Sequence, residues 1–289
     1  MKVKPPFPFF LLLPLLIVES IFILYPIYYT FQLSTLRYSL LRPEEITFIG
    51  IDNFKMVLAD KNFFDSLQIG LIWTFGSVIP QFLIGLGIAL ILNENLKGRV
   101  FFRALFISPW LFPNVAVALM WQWMFNDIYG PLNYLLTRLG IVNKPIVWLG
   151  GNLTLFSVII VNIWRGIPFF IIMLLAGLQS IPEQIYEASK IDGATRLQTL
   201  FRITLPLLRP IIFISLLLRI IWTFNFFDLI WILTRGGPGN ATTIPPILAY
   251  TMAFLKYNFG QSAAILVLML AILVGIVTIY FKLLGEEIR

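Results

Sequence analysis

Six stretches of this chain run for twenty residues or more with almost no charge, and they constrain the fold more than anything else in it. They cover residues 7–31, 67–92, 104–125, 153–178, 211–234 and 262–281. A membrane-spanning α-helix needs about 20 mainly apolar residues, so each stretch is long enough to cross a bilayer. The expected fold is all-α: a polytopic membrane protein of six transmembrane helices, forming a single transmembrane domain over residues 1–289. Composition agrees. The chain is 59% hydrophobic and 12% charged, against roughly 45–50% and 25% in soluble domains. A water-soluble fold cannot hide that much apolar surface.

The same composition narrows the chemistry. There are no cysteines and no histidines, which removes disulfides, thiol nucleophiles and thiolate metal sites, together with the commonest general base and metal ligand. No metal site is expected. An integral-membrane transferase would need clustered acidic metal ligands. The acids on the side read below as cytoplasmic are Glu94, Glu183, Glu187, Asp192, Glu286 and Glu287, with no D-D-x-x-D array among them. The net charge of +7 could suggest nucleic acid, but its distribution fits membrane topology better, and no nucleic-acid partner is expected.

Lysine and arginine set the orientation. With a cytoplasmic N-terminus, the inside segments (1–6, 93–103, 179–210 and 282–289) hold 11 Lys/Arg in 57 residues, and the outside segments (32–65, 126–152 and 234–262) hold 8 in 90. Both termini are therefore expected in the cytoplasm. Lys2 and Lys4 precede the first apolar stretch as they would in a signal peptide. The stretch is too long for a signal core, however, and lacks a small-residue cleavage site, so it is expected to remain attached.

The outer connections are longer than simple turns require. The first contains Phe48-Ile-Gly-Ile-Asp52-Asn53-Phe54 and then a short helix. The second has a turn at Gly130-Pro131-Leu132-Asn133 and an apolar run too short to span. The third is glycine-rich, Arg235-Gly-Gly-Pro-Gly-Asn-Ala-Thr-Thr243. It lacks the Gly-Lys-Ser/Thr ending of a phosphate-binding loop and follows a transmembrane segment rather than a strand. No internal or inverted repeat is visible, unlike many secondary carriers.

One long polar stretch remains on the cytoplasmic side, residues 180–206. Ser180 with Glu183 and Thr195 with Gln198 each have capping-box spacing. Pro182 suits a first helical turn, Gly193 a left-handed helix stop, and Pro206 the end or bend of the second helix. The segment reads as two short helices broken at a glycine.

Its spacing carries more than its caps. Glu187-Ala188-Ser189, three residues, Gly193, nine residues, then Ile203-x-Leu205-Pro206 is similar to the E-A-A-x(3)-G-x(9)-I-x-L-P signature of ABC importer permeases, with Ser189 where that family usually has alanine. Gly-Ile-Asp52-Asn53-Phe54, Gly98-Arg-x-x-Phe-Arg103, Pro109-Trp-x-x-Pro113, Trp121-x-Trp123-x-Phe125 and Leu233-Thr-Arg-Gly-Gly-Pro-Gly239 occur in the order expected of the maltose- and glycerol-phosphate-type sugar importers. The chain resembles the larger of their two unlike permease subunits. The resemblance implies a type I importer permease fold and four kinds of partner: a second, unlike permease, two copies of an ABC ATPase, an extracytoplasmic solute-binding protein, and a sugar or related solute. It implies a cytoplasmic (inner) membrane location. It also implies that residues 180–206 form the coupling helix seated in the ATPase, with Glu187, Ala188, Ser189, Asp192, Gly193, Ile203, Leu205 and Pro206 carrying the contact. No G-x(4)-G-K-[ST] occurs, so this chain is expected to be non-catalytic and to bind no cofactor, with ATP and Mg on the partner ATPases.

Ionisable groups at bilayer depth are costly and mark functional sites. Glu19 lies within the first stretch, Arg165 in the fourth, and Arg219 and Asp228 in the fifth, Asp228 near its outer end. Asn162, Arg165, Gly166 and Phe169 share one helical face by spacing, as do Arg219, Thr223 and Phe226; Trp110 and Asn114 stand four apart beside two prolines. Aromatic faces interleaved with Asn, Arg and Thr suit a pyranose ring. These nine positions also match the sugar-contacting positions of the maltose-type permease, although Arg165, Arg219 and Phe226 depart from its residue types. They are expected to line the substrate cavity. Two arginines favour an anionic solute such as a phosphodiester or sugar acid, a preference that neutralisation by Glu19 would cancel. A buried Arg–Glu staple needs no solute pathway at all. The remaining readings are a permease for a non-sugar solute and a secondary carrier.

Overall fold

A computed structural model of the chain describes residues 7–42, 44–94 and 97–284. Lys2, Lys4, Glu286 and Glu287 lie outside the described residues. The elements run α1 (Phe7–Glu19), a π turn (Ser20–Leu24), α2 (Tyr25–Ser34), β1 (Leu36–Arg37), β2 (Thr47–Phe48), α3 (Asp52–Ala59), α4 (Lys61–Asn93), α5 (Arg99–Ile107), α6 (Asn114–Met124), α7 (Pro131–Arg138), α8 (Thr154–Ser180), α9 (Glu183–Ile191), α10 (Arg196–Thr199), α11 (Leu205–Phe224), α12 (Asp228–Thr234), α13 (Pro245–Tyr250) and α14 (Phe259–Leu284). The fold is mostly helical. Among the described residues five helices are long and apolar enough to cross a membrane, and a sixth crossing is made if the bent pair around residues 111–114 counts as one span.

Two compact units can be distinguished: residues 1–65 with 248–272, and residues 66–247 with 273–289. In the first, the two-residue strands pair antiparallel, Leu36 opposite Phe48. Asn53 Nδ2 donates to the carbonyls of Ser34 and Leu36, which fixes the chain between α2 and α3. From Leu11 to Leu33 no side chain is buried.

The second unit holds both apolar cores. One gathers Trp73, Val117, Val158, Val161, Leu229 and Ile244; the other gathers Val78, Leu92, Phe170, Leu174, Leu208 and Ile220. Along α8 they are separated by the polar layer at Asn162–Gly166.

Prolines accompany three of the places where helices depart from straight spans. The π turns at Ser20–Leu24 and Leu200–Thr204 precede Pro26 and Pro206. There Tyr25 N–H reaches the Ser20 carbonyl and Leu205 N–H the Leu200 carbonyl, a widened ladder that makes room for a residue with no N–H and a bulky ring. Pro206 therefore neither ends nor breaks its helix, which runs on from Arg196 to Phe224. The expected third span, 104–125, is broken. Arg99–Leu111 and Asn114–Met124 meet at 96°, because Pro113 holds Phe112 extended at φ −82°, ψ 137°. The expected fifth span, 211–234, also differs: α11 ends at Phe224, and α12 starts afresh at Asp228. Within the segment read as outer loop, Pro245–Leu255 forms an apolar helix too short to span.

Candidate functional site

Three segments of the second unit converge on a cavity of about 370 Å³ lined by Trp110, Asn162, Arg165, Arg219, Ile221, Trp222, Thr223, Asn225 and Phe226. Its floor is a buried polar knot. Arg219 Nε donates to Gln81 Oε1 at 2.7 Å, and Arg219 Nη2 donates to Asn162 Oδ1 at 3.4 Å. Gln81 Nε2 donates to the Asn162 carbonyl at 2.8 Å, so α4, α8 and α11 are tied together at one depth. Gly166 makes the knot possible. A Cβ there would overlap the Arg219 guanidinium and the Gln81 amide.

Above the knot the groups are not satisfied. Arg165 Nε, Asn162 Nδ2 and Thr223 Oγ1 are buried atoms without a hydrogen-bond partner among the described residues. The Arg165 guanidinium lies over the Phe226 ring, 5.5 Å from its centroid. In native interiors most buried polar groups are paired, so orphans gathered at one cavity mark a place where a ligand or water completes them.

Six of the nine expected cavity positions meet here: Trp110, Asn162, Arg165, Arg219, Thr223 and Phe226. The other three lie elsewhere. Gly166 sits beneath the knot. Phe169 is buried, packing edge-on against Trp110 and Trp222 to back the aromatic wall. Asn114 Nδ2 donates to Asp228 Oδ2 at 3.1 Å, because the break at Pro113 puts Trp110 and Asn114 on different helices rather than on one face. Asp228 is thus partnered by a side chain. Phe226 lines the cavity from the connector after α11, not from a third turn of that helix. Sequence reasoning missed Gln81, Trp222 and Asn225. For Gln81 the signal was present, an amide in the middle of an otherwise apolar span. Arg219 takes neutral partners, and neither it nor Arg165 makes a salt bridge among the described residues.

The polar segment after α8 folds as two short helices with a glycine between them. Gly193 has φ +72°; Gly193 N–H meets the Lys190 carbonyl and Ala194 N–H the Ser189 carbonyl, the paired bonds of a Schellman stop. Thr195 and Gln198 form a complete capping box. The box expected at Ser180 is absent. Ser180 belongs to α8 and its hydroxyl donates to the Gly177 carbonyl, while Pro182 stands at the N-cap of α9 with no side-chain bond. Glu187, Ala188, Asp192 and Gly193 are exposed, Ser189 is buried, and Ile203, Leu205 and Pro206 are partly buried in the helix that follows. Ile191, Leu197 and Phe201, absent from the motif, are 87%, 68% and 64% exposed. Apolar side chains standing out of a polar loop were the available sign of a docking surface.

Known proteins place the chain in a family. Residues 81–289 match the family model described as binding-protein-dependent transport system inner membrane component. The trehalose/maltose transport system permease protein MalF of Thermococcus litoralis is 39% identical over 275 residues, 95% of this chain and 92% of that protein. The sn-glycerol-3-phosphate transport system permease protein UgpA of Agrobacterium fabrum is 31% identical, covering 98% of this chain and 96% of its own length. Among solved structures, a bacterial ABC transporter involved in the import of the acidic polysaccharide alginate superposes with a TM-score of 0.83 at 23% identity, covering 96% of this chain and 94% of that one. The chain belongs to the family of inner-membrane components of binding-protein-dependent transport systems. It has the fold of a type I ABC importer permease and is a non-catalytic subunit, the ATPase being a separate chain.

Proposed function

We propose that this chain is one of two unlike permease subunits of an importer for a sugar or sugar-related solute. The cavity carries this reading: aromatic faces at Trp110, Trp222 and Phe226 stand beside unfilled hydrogen-bonding atoms on Asn162, Arg165 and Thr223. A saccharide offers apolar ring faces for the first and hydroxyls for the second. Relatives named for trehalose/maltose and for glycerol 3-phosphate transport support the same class.

In this reading both termini face the cytoplasm, an extracytoplasmic binding protein delivers the solute, and ATP and Mg are bound by two copies of a partner ATPase. The segment from Glu187 to Pro206 couples to that ATPase. Ile191, Leu197 and Phe201 supply apolar contact, and the exposed Glu187 carboxylate either orients the segment or pairs with a basic ATPase residue. Closure of the ATPase pair moves the segment as a rigid lever and turns the cavity toward the docked binding protein; hydrolysis resets it.

The test is a pull-down of the chain from membranes in mild detergent, followed by ATPase assays with candidate binding-protein–sugar complexes. A second permease and an ATPase should co-purify, with hydrolysis stimulated by one loaded binding protein. Recovery of the chain alone, with no ATPase, would point to a carrier and overturn the reading.

A further inference from the structure

We infer that the solute carries an anionic group, a carboxylate or a phosphate, and that Arg165 receives it. The inference rests on the cavity being the solute pathway. Two guanidinium groups line this cavity, and no carboxylate does. The Asp228 carboxylate is held by Asn114 and forms no salt bridge with either arginine among the described residues. The walls are mainly apolar and aromatic, a setting that focuses the field of the uncompensated charge onto whatever enters.

The two arginines have different tasks. Arg219 is 6% exposed, with Nε spent on Gln81 and Nη2 on Asn162, and its guanidinium fills the space that Gly166 leaves open. It is a positioning residue that holds the Asn162 side chain and supplies background charge. Arg165 is unspent. Its guanidinium carbon lies 5.5 Å from the Phe226 ring centroid and its Nε has no hydrogen-bond partner among the described residues, which leaves the fork unused for a bidentate grip on a carboxylate or phosphate.

The orphaned atoms point the same way. On cavity-lining residues they are Arg165 Nε, Asn162 Nδ2 and Thr223 Oγ1: two obligate donors and one hydroxyl that can donate. A neutral saccharide offers hydroxyls that must donate as well as accept. An anion accepts only, and so fits the three buried unfilled atoms, each of which can donate.

The test uses the complete importer in proteoliposomes and three radiolabelled probes: maltose, a uronic-acid disaccharide and a hexose phosphate. One anionic probe should be taken up and maltose should remain at background; which anion moves separates carboxylate from phosphate. Arg165→Gln should lower that uptake about tenfold or more, as loss of a charge-assisted hydrogen bond does. Arg165→Lys should lower it less, because it keeps the charge and loses the fork. Uptake confined to maltose, or uptake of no probe, overturns the inference, as does anion uptake indifferent to Arg165→Gln. Loss of the partner permease from the Arg165→Gln complex also overturns it, since the guanidinium would then serve a carboxylate across that interface. Trp110→Ala and Asn162→Ala locate the failure. If they depress uptake while Arg165→Gln does not, the cavity reading stands and only the anion is lost. If they too change nothing, the cavity is not the pathway.

Discussion

The hydrogen bonds that shape the coupling segment join neighbours in the chain: Thr195 with Gln198, Gly193 with Lys190, Ala194 with Ser189. Those that shape the cavity span 138 residues from Arg219 to Gln81, 81 from Gln81 to Asn162 and 57 from Arg219 to Asn162. The first region is a local structure that a dozen residues specify by themselves. The second exists only when three transmembrane helices are at their final depth and rotation. The lever is therefore complete within its own segment, whereas the cavity is sensitive to any movement of α4, α8 or α11.

That difference predicts where substitutions act through the whole fold and where they act through function alone. The largest effect is expected at Gly166. Gly166→Ala drives a Cβ into the Arg219 guanidinium and the Gln81 amide, and overpacking combined with loss of hydrogen bonds to a buried charge should cost about 3 kcal/mol. The apparent Tm of the detergent-solubilised complex should drop, and uptake should drop with it. A Gly166→Ala complex as stable as wild type would show that the knot is loose, and with it the cavity's dependence on three helices.

Next in size is Gln81→Leu, which leaves Arg219 Nε buried with no acceptor and should cost about 2 kcal/mol in the same melt. The sharper measurement is the double variant. Both substitutions act through Arg219, so the pair should cost clearly less than the sum of the two singles. Strict additivity would mean that Gln81 and Gly166 do not share that partner.

How much of each region could be read from the chain follows the same division. Gly193, Thr195 and Gln198 were legible because glycine stops and capping boxes are local signals. The Ser180 box was misread for a local reason too: α8 continues through Ser180, so the residue has no free helix N-terminus to cap. In the cavity, Asn162, Arg165 and Arg219 were legible because polar residues inside apolar spans are few. Gln81 was missed although its amide stands within an uncharged span; what α4 does not announce is its partner 138 residues away. Asn114 and Phe226 were placed on continuous helices that Pro113 and the stop at Phe224 break. The six apolar stretches foretold the helices but not the 96° bend, because hydropathy records how long a segment stays out of water and not whether it runs straight.

On the lever side, Gly193→Val probes a position with φ +72° and nothing within 4 Å of a built Cβ. Its cost is backbone strain alone, about 1–2 kcal/mol. The variant should insert into the membrane and assemble with the ATPase at near wild-type levels while solute-stimulated transport falls. Gly193→Asn, which tolerates the left-handed conformation better, should recover most of it. Full transport by Gly193→Val would remove the lever role. Destabilisation equal to that of Gly166→Ala would erase the contrast between the two regions.

The smallest effect is expected at Ser189, where the resemblance anticipates alanine. Ser189 is 4% exposed, and its hydroxyl donates to the Tyr186 carbonyl three residues back at 2.8 Å. A hydroxyl bonded within its own helix turn adds little, because that carbonyl has a second lone pair and its place in the helix ladder. The hydroxyl also stands 3.5 Å from the Thr199 hydroxyl, which can turn to another acceptor. Ser189→Ala should thus change stability by less than about 0.5 kcal/mol and leave transport at wild-type rates, since the Schellman stop that sets the angle between α9 and α10 uses the Ser189 carbonyl rather than its side chain. A clear loss of coupled transport in Ser189→Ala, with assembly intact, would mean that the Ser189–Thr199 contact joins the two short helices during the stroke. The lever would then depend on a side-chain link as well as on its backbone turn.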